Sequence, residues 1–269
     1  MAVDEAVAAA VAAGEAPPTL RLYMWEPPAL SLGYFQSRAD VDEAALERRG
    51  FALVRRPTGG RAVLHWQEVT YSVVVPETWP GLPAGVTESY RWLSRGLVEG
   101  LRQLGLPVEW TAKSLVQGAG SAACFEAPSF WELTIGGRKV VGSAQVRQKG
   151  VVLQHGSVPL YFHAEVVADI LGRTPQEKAR LQRVLARHAA GLAEFYSGGA
   201  ASPGPGGEDR PSPTPARGLQ PQQLAEALAQ GFARALGVQW EPGRLSAAEE
   251  RAVAILAARH RSPEWLSRR

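Results

Sequence analysis

Alanine and valine fill most of the stretch from Met1 to Ala13, with Asp4 and Glu5 among them, and Gly14 closes it. That pattern predicts a helix with a glycine stop. Two short apolar runs, Leu20 to Trp25 and Ala29 to Gly33, stand on either side of Pro27-Pro28, as strands broken by a turn do. Asp40 to Arg49 has helical spacing with Asp40 as the expected N-cap. Ala52 to Arg56 reads as a strand, Gly59-Gly60 as a turn, and the β-branched run Val69 to Val75 as a buried strand. A helix is expected from Thr87 to Leu104.

Between Phe130 and Arg147 two extended runs flank Gly136-Gly137, a hairpin signal because a type I′ turn needs positive φ at both central residues. A strand at Val151 to Gln154 and helices over His163–Leu171 and Pro175–Phe195 complete a mixed α/β body. Residues 197–217 are rich in Gly, Pro and Ser and hold almost nothing that can be buried, so a disordered inserted loop is expected. Beyond it, Leu224, Leu228, Phe232 and Leu236 recur at helical spacing, and Ser246 with Glu249 forms a capping box opening a last helix to about His260. Helices of this size hardly fold alone. The expectation is therefore one domain over residues 1–269, with the helices of 219–269 docked on the main body.

The chain has 269 residues, 45% hydrophobic and 20% charged, an ordinary globular composition. A formal charge of +3 permits an acidic partner and gives no footprint for nucleic acid. No apolar window is long enough to span a membrane, and the opening residues lack the basic region and cleavage site of a signal peptide, so a cytoplasmic location is expected. One cysteine excludes an internal disulfide and a cysteine-based zinc site, and the five histidines lack metal-ligand spacing, so no metal is expected.

That cysteine, Cys124, sits in G-A-G-S-A-A-C-F-E-A-P-S, between a turn-like Gly118-Ala119-Gly120 and Pro128. A lone cysteine is often a small buried hydrophobe, whereas small neighbours and turn signals describe an accessible loop thiol. A thiol nucleophile needs a cation or base, because its reference pKa of about 8.5 leaves little thiolate at pH 7. Lys139, two residues past the Gly-Gly turn, is a candidate, in competition with Arg138, Arg147 and Lys149 and with a plain solvated role. Arg56, Thr58, Gly59 and Gly60 join basic residues to a glycine turn that an acyl phosphate, a pantetheine phosphate or a carboxylate could approach. The segment is no Walker loop, and no G-x-G-x-x-G is present. His65 and His155 can each act as a base or as a satisfied structural group. The eight tryptophans read as core and pocket walls.

The runs Arg55 to Val73 (R-R-P-T-G-G-R-A-V-L-H-x-x-E-V-T-Y-S-V), Ala123 to Leu133 (A-C-F-E-A-P-S-x-x-E-L) and Gly137 to Arg147 (G-R-K-V-V-G-S-A-Q-V-R) resemble the biotin/lipoate protein ligase superfamily. Within it the chain is most similar to the cysteine-dependent octanoyltransferases of the M type. The similarity extends to Met1-Ala2-Val3-Asp4-Glu5-Ala6, to L-Q-H-G-S at Leu153–Ser157 and to the closing L-S-A-A-E-E and S-P-E-W-L. It implies the ligase catalytic-domain fold: α/β, with largely antiparallel sheets flanked by helices. It also implies octanoyl transfer from acyl carrier protein, through a thioester on Cys124, to a lysine of a lipoyl domain such as the glycine cleavage H protein. Lys139 takes the role of lowering the thiol pKa and polarising the acyl carbonyl. Arg56, Thr58, Gly59, Gly60 and His65 line one wall of the acyl and pantetheine channel, and Gly142, Ser143, Ala144 and Gln145 the other.

A thioester is already activated, so no ATP or other cofactor is implied, and the enzyme is expected to work as a monomer. Burying the eight-carbon tail contributes about 0.8 kcal/mol per methylene. Since one methylene discriminates only about 10- to 200-fold, chain-length choice is expected to be loose at its edges. Two alternatives share the family: an amidotransferase moving octanoyl between lipoyl domains, and an ATP-dependent lipoate ligase. The ligase needs no cysteine and typically has a third glycine where Arg61 stands. From another class, a non-catalytic binder of acidic carrier domains fits the charge. Two departures from the family pattern stand out. The usual strand ahead of M-A-x-D-E-A is missing before Met1, which implies either an upstream start or an open sheet edge. Trp66 follows the histidine where a small or acidic residue is usual.

Overall fold

The run from Glu68 to Pro76 is almost wholly buried, and the molecule is built around it. Val69, Tyr71, Val73 and Val75 face one core while Val74 faces another, so both faces of the strand are covered, and its polar residues Glu68, Thr70 and Ser72 are buried with the rest. The computed structural model describes residues 1–111, 131–198 and 218–268. Within these the helices are α1 (Ala2–Ala12), α2 (Glu43–Glu47), α3 (Val86–Gln103), α4 (Ala164–Leu171), α5 (Pro175–His188), α6 (Pro221–Leu236), α7 (Ala247–Arg261) and α8 (Pro263–Leu266). The strands are β1 (Thr19–Tyr23), β2 (Ala29–Leu32), β3 (Ala52–Arg55), β4 (Val63–His65), β5 (Glu68–Pro76), β6 (Glu109–Thr111), β7 (Glu132–Ile135), β8 (Arg138–Lys139), β9 (Gly142–Gln148) and β10 (Val151–Pro159).

The strands form an antiparallel sheet ordered β1-β5-β10-β9, a sheet β3-β2-β4 in which β2 and β3 run parallel, and an antiparallel sheet β6-β7-β8. This is the mixed, largely antiparallel architecture that the sequence predicts. Helix α1 packs on Val74, Val151 and Leu153 through Val7, Ala8 and Val11. Helices α3 and α6 cover the opposite face of the four-stranded sheet.

The docking of α6 depends on small residues at the crossing. A Cβ on Gly231 would lie 2.3 Å from the Gly100 nitrogen and 2.3 Å from the Gly96 oxygen, so the two helix backbones are in direct contact there. Leu224, Leu228 and Phe232 are fully buried, as their spacing predicts. The capping box of α7 forms as expected, with Ser246 Oγ accepting from the Glu249 N–H and Glu249 accepting from the Ser246 N–H. Helix α7 is tied to α1 through Glu5, which bonds Arg259 and lies 2.7 Å from His260 Nε2.

Several boundaries differ from expectation. Asp42, not Asp40, caps α2, because residues 38–40 form a separate 3-10 turn capped by Ser37. Helix α5 ends at His188, where Ala189 turns extended to bridge Lys139. The run after Gly137 is two strands, since Val140 and Val141 carry the chain from one sheet to another. Strand β10 continues to Pro159, which places His155 in mid-strand. The expected disordered loop at 197–217 lies outside the described residues apart from 197 and 198, as does the loop carrying Cys124.

Adding a side chain at the α3–α6 contact tests this packing. Gly231→Val is expected to destabilise the protein by about 1–3 kcal/mol through overpacking. Urea unfolding should show this loss, while Gly243→Val, at a glycine with open space around it, should change little.

Candidate active site

Gly136 and Gly137 have φ of 55° and 75°, the left-handed values the tight β7–β8 turn requires. The turn sets the register Thr134↔Lys139, and Glu132 lies on the same strand face as Thr134. The Lys139 ammonium accordingly reaches Glu132 Oε1 at 2.8 Å, with each residue only 5% exposed. The Lys139 carbonyl accepts the Ala190 N–H at 3.0 Å, pinning the lysine to the chain leaving α5. Arg138 beside it donates to the Ala189 carbonyl and pairs with Glu194. Lys139 is thus a buried, paired cation on a rigid hairpin, not a solvated strand end.

Three residues further on, Gly142, Ser143 and Ala144 form one wall of a cleft holding ≈ 380 Å³ of space, its open mouth included. Gly156 and Ser157 of β10 make the floor, and Ser31, Arg56, Gly60, Val63 and His65 the opposite wall. A Cβ on Gly156 would sit 2.3 Å from the Gly142 carbonyl oxygen, so only glycine lets these strands close under the cleft.

The opposite wall is organised by Arg56. Its guanidinium donates to Ser31 O at 3.0 Å and Ser31 Oγ at 3.2 Å, and to the carbonyls of Gly59 at 2.9 Å and Arg61 at 2.7 Å. The turn that the sequence suggests for ligand binding is therefore held by its own arginine. Arg55, pointing the other way, donates to carbonyls of Gly33, Tyr34, Gln36, Trp265 and Leu266, fastening α8 beneath the site.

Both histidines border the cleft, each between a hydroxyl and a carboxylate. His155 Nε2 lies 2.7 Å from Thr58 Oγ1, and its Nδ1 faces Asp4 Oδ2 at 3.4 Å. Burial pushes the Asp4 carboxyl upward, but its bonds to His155 and Arg21 win and hold it far below the usual carboxylate range. Burial lowers the pKa of His155, with Asp4 opposing. A neutral imidazole beside an ionised carboxylate carries its proton on Nδ1, leaving Nε2 to accept the Thr58 hydroxyl. His65 repeats the arrangement, with Nε2 2.8 Å from Ser31 Oγ and Nδ1 3.2 Å from Glu68 Oε1.

Of the residues expected to line the channel, Arg56, Gly60, His65, Gly142, Ser143 and Ala144 border the cleft. Thr58, Gly59 and Gln145 do not: Thr58 supports His155, the Gly59 carbonyl supports Arg56, and Gln145 turns to Ser89 and Gln154. Lys139 stands beside the cleft wall, three residues from Gly142, and Cys124 lies outside the described residues. Sequence reasoning missed Ser31, Thr70, Gly156, Asp4 and Glu132. Asp4 stands in the M-A-x-D-E-A run and Glu132 in F-W-E-L-T-I, but neither pattern by itself marks a buried carboxylate or its partner. Trp66, just past the end of β4, is stacked on His163 with centroids 4.1 Å apart and walls a separate small cleft with Ala62 and Leu64. Among the described residues no group of three or more His, Cys, Asp or Glu could hold a metal ion, and no helix is long and apolar enough to cross a membrane.

Two outcomes are expected from the buried charges. Glu132→Ala leaves the Lys139 ammonium without this partner and should cost about 3–5 kcal/mol in urea unfolding. The depressed pKa of Asp4 means its contribution to stability is complete above the unfolded carboxyl value near 4 and declines as pH falls below it. Asp4→Asn should therefore lower stability at neutral pH and flatten the fall in stability below about pH 4, followed by denaturation at a series of pH values.

The family model of the lipoyl protein ligase A/B catalytic domain matches residues 1–200. Octanoyltransferase LipM of Kyrpidia tusciae is 47% identical over 273 residues, covering 98% of this chain and 92% of its own. Those of Moorella thermoacetica and Staphylococcus aureus are 42% and 36% identical, each covering 100% of this chain and 93% and 94% of their own. Among solved structures, the bipartite lipoate protein ligase of Thermoplasma acidophilum superposes with a TM-score of 0.75 at 21% identity, covering 99% of this chain and 89% of its own. A lipoate-protein ligase A bound with ATP gives a TM-score of 0.73 at 22% identity, covering 99% and 92%, a likeness of fold. The chain belongs to the lipoyl protein ligase A/B catalytic domain family and, within it, to the LipM octanoyltransferases.

Proposed function

We propose that this octanoyltransferase of lipoate biosynthesis takes its acyl group from octanoyl-acyl carrier protein, holds it as a thioester on Cys124, and delivers it to a lysine of a lipoyl domain, the glycine cleavage H protein being the first acceptor. The observation that carries the reading is the buried Lys139 ammonium on the strand pair leading directly into the cleft wall at Gly142–Ala144. A cation kept from water is what a thiol needs in order to ionise near neutral pH.

The Cys124 thiolate attacks the carbonyl carbon of the pantetheine thioester, forming a new carbon–sulfur bond. The bond to the pantetheine sulfur breaks, and that sulfur takes a proton from Lys139. The acceptor amine then attacks the acyl-enzyme carbonyl. Its nitrogen forms the amide, the bond to Cys124 breaks, and the surplus amine proton passes through Lys139. No nucleotide enters either step, because the thioester brings the activation. The cleft between the Arg56 turn and β9 holds the acyl tail, with Gly142, Ser143 and Ala144 against it.

Intact-mass spectrometry after incubation with octanoyl-acyl carrier protein tests this reading. One octanoyl adduct, labile to hydroxylamine and absent in Cys124→Ala, is expected, and apo H protein should then discharge it. Lys139→Met should slow adduct formation by about 10²- to 10⁴-fold, the usual contribution of a positioned proton-transfer group. Transfer that requires ATP and survives Cys124→Ala would instead establish a ligase. Labelling only from an octanoylated lipoyl domain would establish an amidotransferase.

A further inference from the structure

Helix α5 buries Leu181 and Leu185 and turns its opposite side to solvent. On that side Arg180, Arg183 and Arg187 stand at intervals of three and four residues, all exposed, forming a ridge about 10 Å long. The helix holds four basic residues before its closing His188 and a single acidic one, Glu177, whose carboxylate turns back onto the Arg173 N–H at the far end. Most neighbouring surface cations are neutralised: Arg49 and Lys178 pair with Asp169, and Arg38 with Glu43. Neither Arg183 nor Arg187 has a carboxylate partner among the described residues.

The ridge also has a direction. Its last member, Arg187, is two residues from Ala189, whose backbone bridges Lys139, and Arg138 is bonded to the Ala189 carbonyl. A macromolecule seated along α5 therefore has one end at the cation beside the cleft.

We infer that the exposed arginine ridge of α5 is the docking surface for the acidic carrier domain that brings the acyl thioester. The inference rests on the donor assigned under the proposed function and identifies the surface that receives it. The carrier's arm is joined through a phosphodiester, so its anionic root belongs at the Arg187 end while acidic side chains of the carrier lie along Arg183 and Arg180. The acceptor has the opposite chemistry at its point of entry. It presents a lysine ammonium, which a row of guanidinium groups repels. Surface charge of this kind acts chiefly on the association rate and weakens with salt.

The test compares two donors in one assay. With octanoyl-acyl carrier protein, Arg183→Glu/Arg187→Glu should lose tenfold or more in kcat/KM, through KM, and most of the salt dependence seen with the unmodified enzyme. With octanoyl-pantetheine, which has neither phosphate nor carrier, the same variant should retain its rate within about twofold, which also establishes that it is folded. Equal losses with both donors, an unchanged carrier rate, or a rise confined to the KM of the lipoyl-domain acceptor would each overturn the ridge assignment. Should the unmodified enzyme accept octanoyl from the small thioester but never from the carrier, the donor reading itself fails and the ridge assignment with it.

Discussion

The cleft exists because one guanidinium, that of Arg56, closes the 56–61 turn onto β2. Two backbone carbonyls of the turn and the oxygens of Ser31 converge on a side chain only 4% exposed, so the turn cannot open without stranding a charge away from water. The closure has a steric partner. The Gly60 oxygen lies 1.9 Å from where a Cβ on Gly33 would be, so the turn and the end of β2 meet as bare backbone. Bidentate geometry matters here because an ammonium cannot address Ser31 and the two carbonyls with one rigid plane.

From that constraint the rest of the site follows in layers. Holding the turn against β2 sets Thr58 beneath His155, and Asp4 reaches up from α1 to the other face of the same ring. Helix α1 thereby becomes part of the cleft's foundation, and the adjacent Glu5 fixes α7 to it. Arg55 performs the corresponding task below, where five carbonyls, two of them from Trp265 and Leu266, share its guanidinium. Arg55 thus joins segments more than two hundred positions apart in sequence, while the adjacent Arg56 turns the other way to hold the cleft wall.

The strands and helices with strong periodicity were legible from the residues, and so was the glycine turn carrying Lys139. Less visible were features decided by partners distant in sequence. Nothing local to Asp4 announces that it will be buried against His155, because a carboxylate in the first turn of a helix is ordinary surface chemistry. The break at Val140–Val141 was invisible for a related reason: both residues are good strand formers, and only the closing of two sheets against each other makes them a crossover. Gln145 bonds Ser89 of α3 and Gln154 of β10, partners far from it in sequence or across the sheet that no local pattern announces. Several polar groups that the resemblance assigns to the channel, Arg56, Thr58 and Gln145 among them, bond neighbouring groups of the fold itself.

This division between internal and external use of charge bears on the reaction. Arg56, His65 and His155 spend their polar atoms on neighbouring protein groups, so the cleft they border presents few free donors to a ligand, a setting suited to a hydrocarbon tail. Lys139 is held differently, by the Glu132 carboxylate on the adjacent strand and a backbone fastened to the end of α5. A buried cation whose countercharge sits on the same rigid hairpin keeps its position without needing substrate to order it. In the proposed reaction this preorganisation would serve the lysine's action on the thiol and then on the departing sulfur, the acyl chain staying in place between the two steps of the transfer.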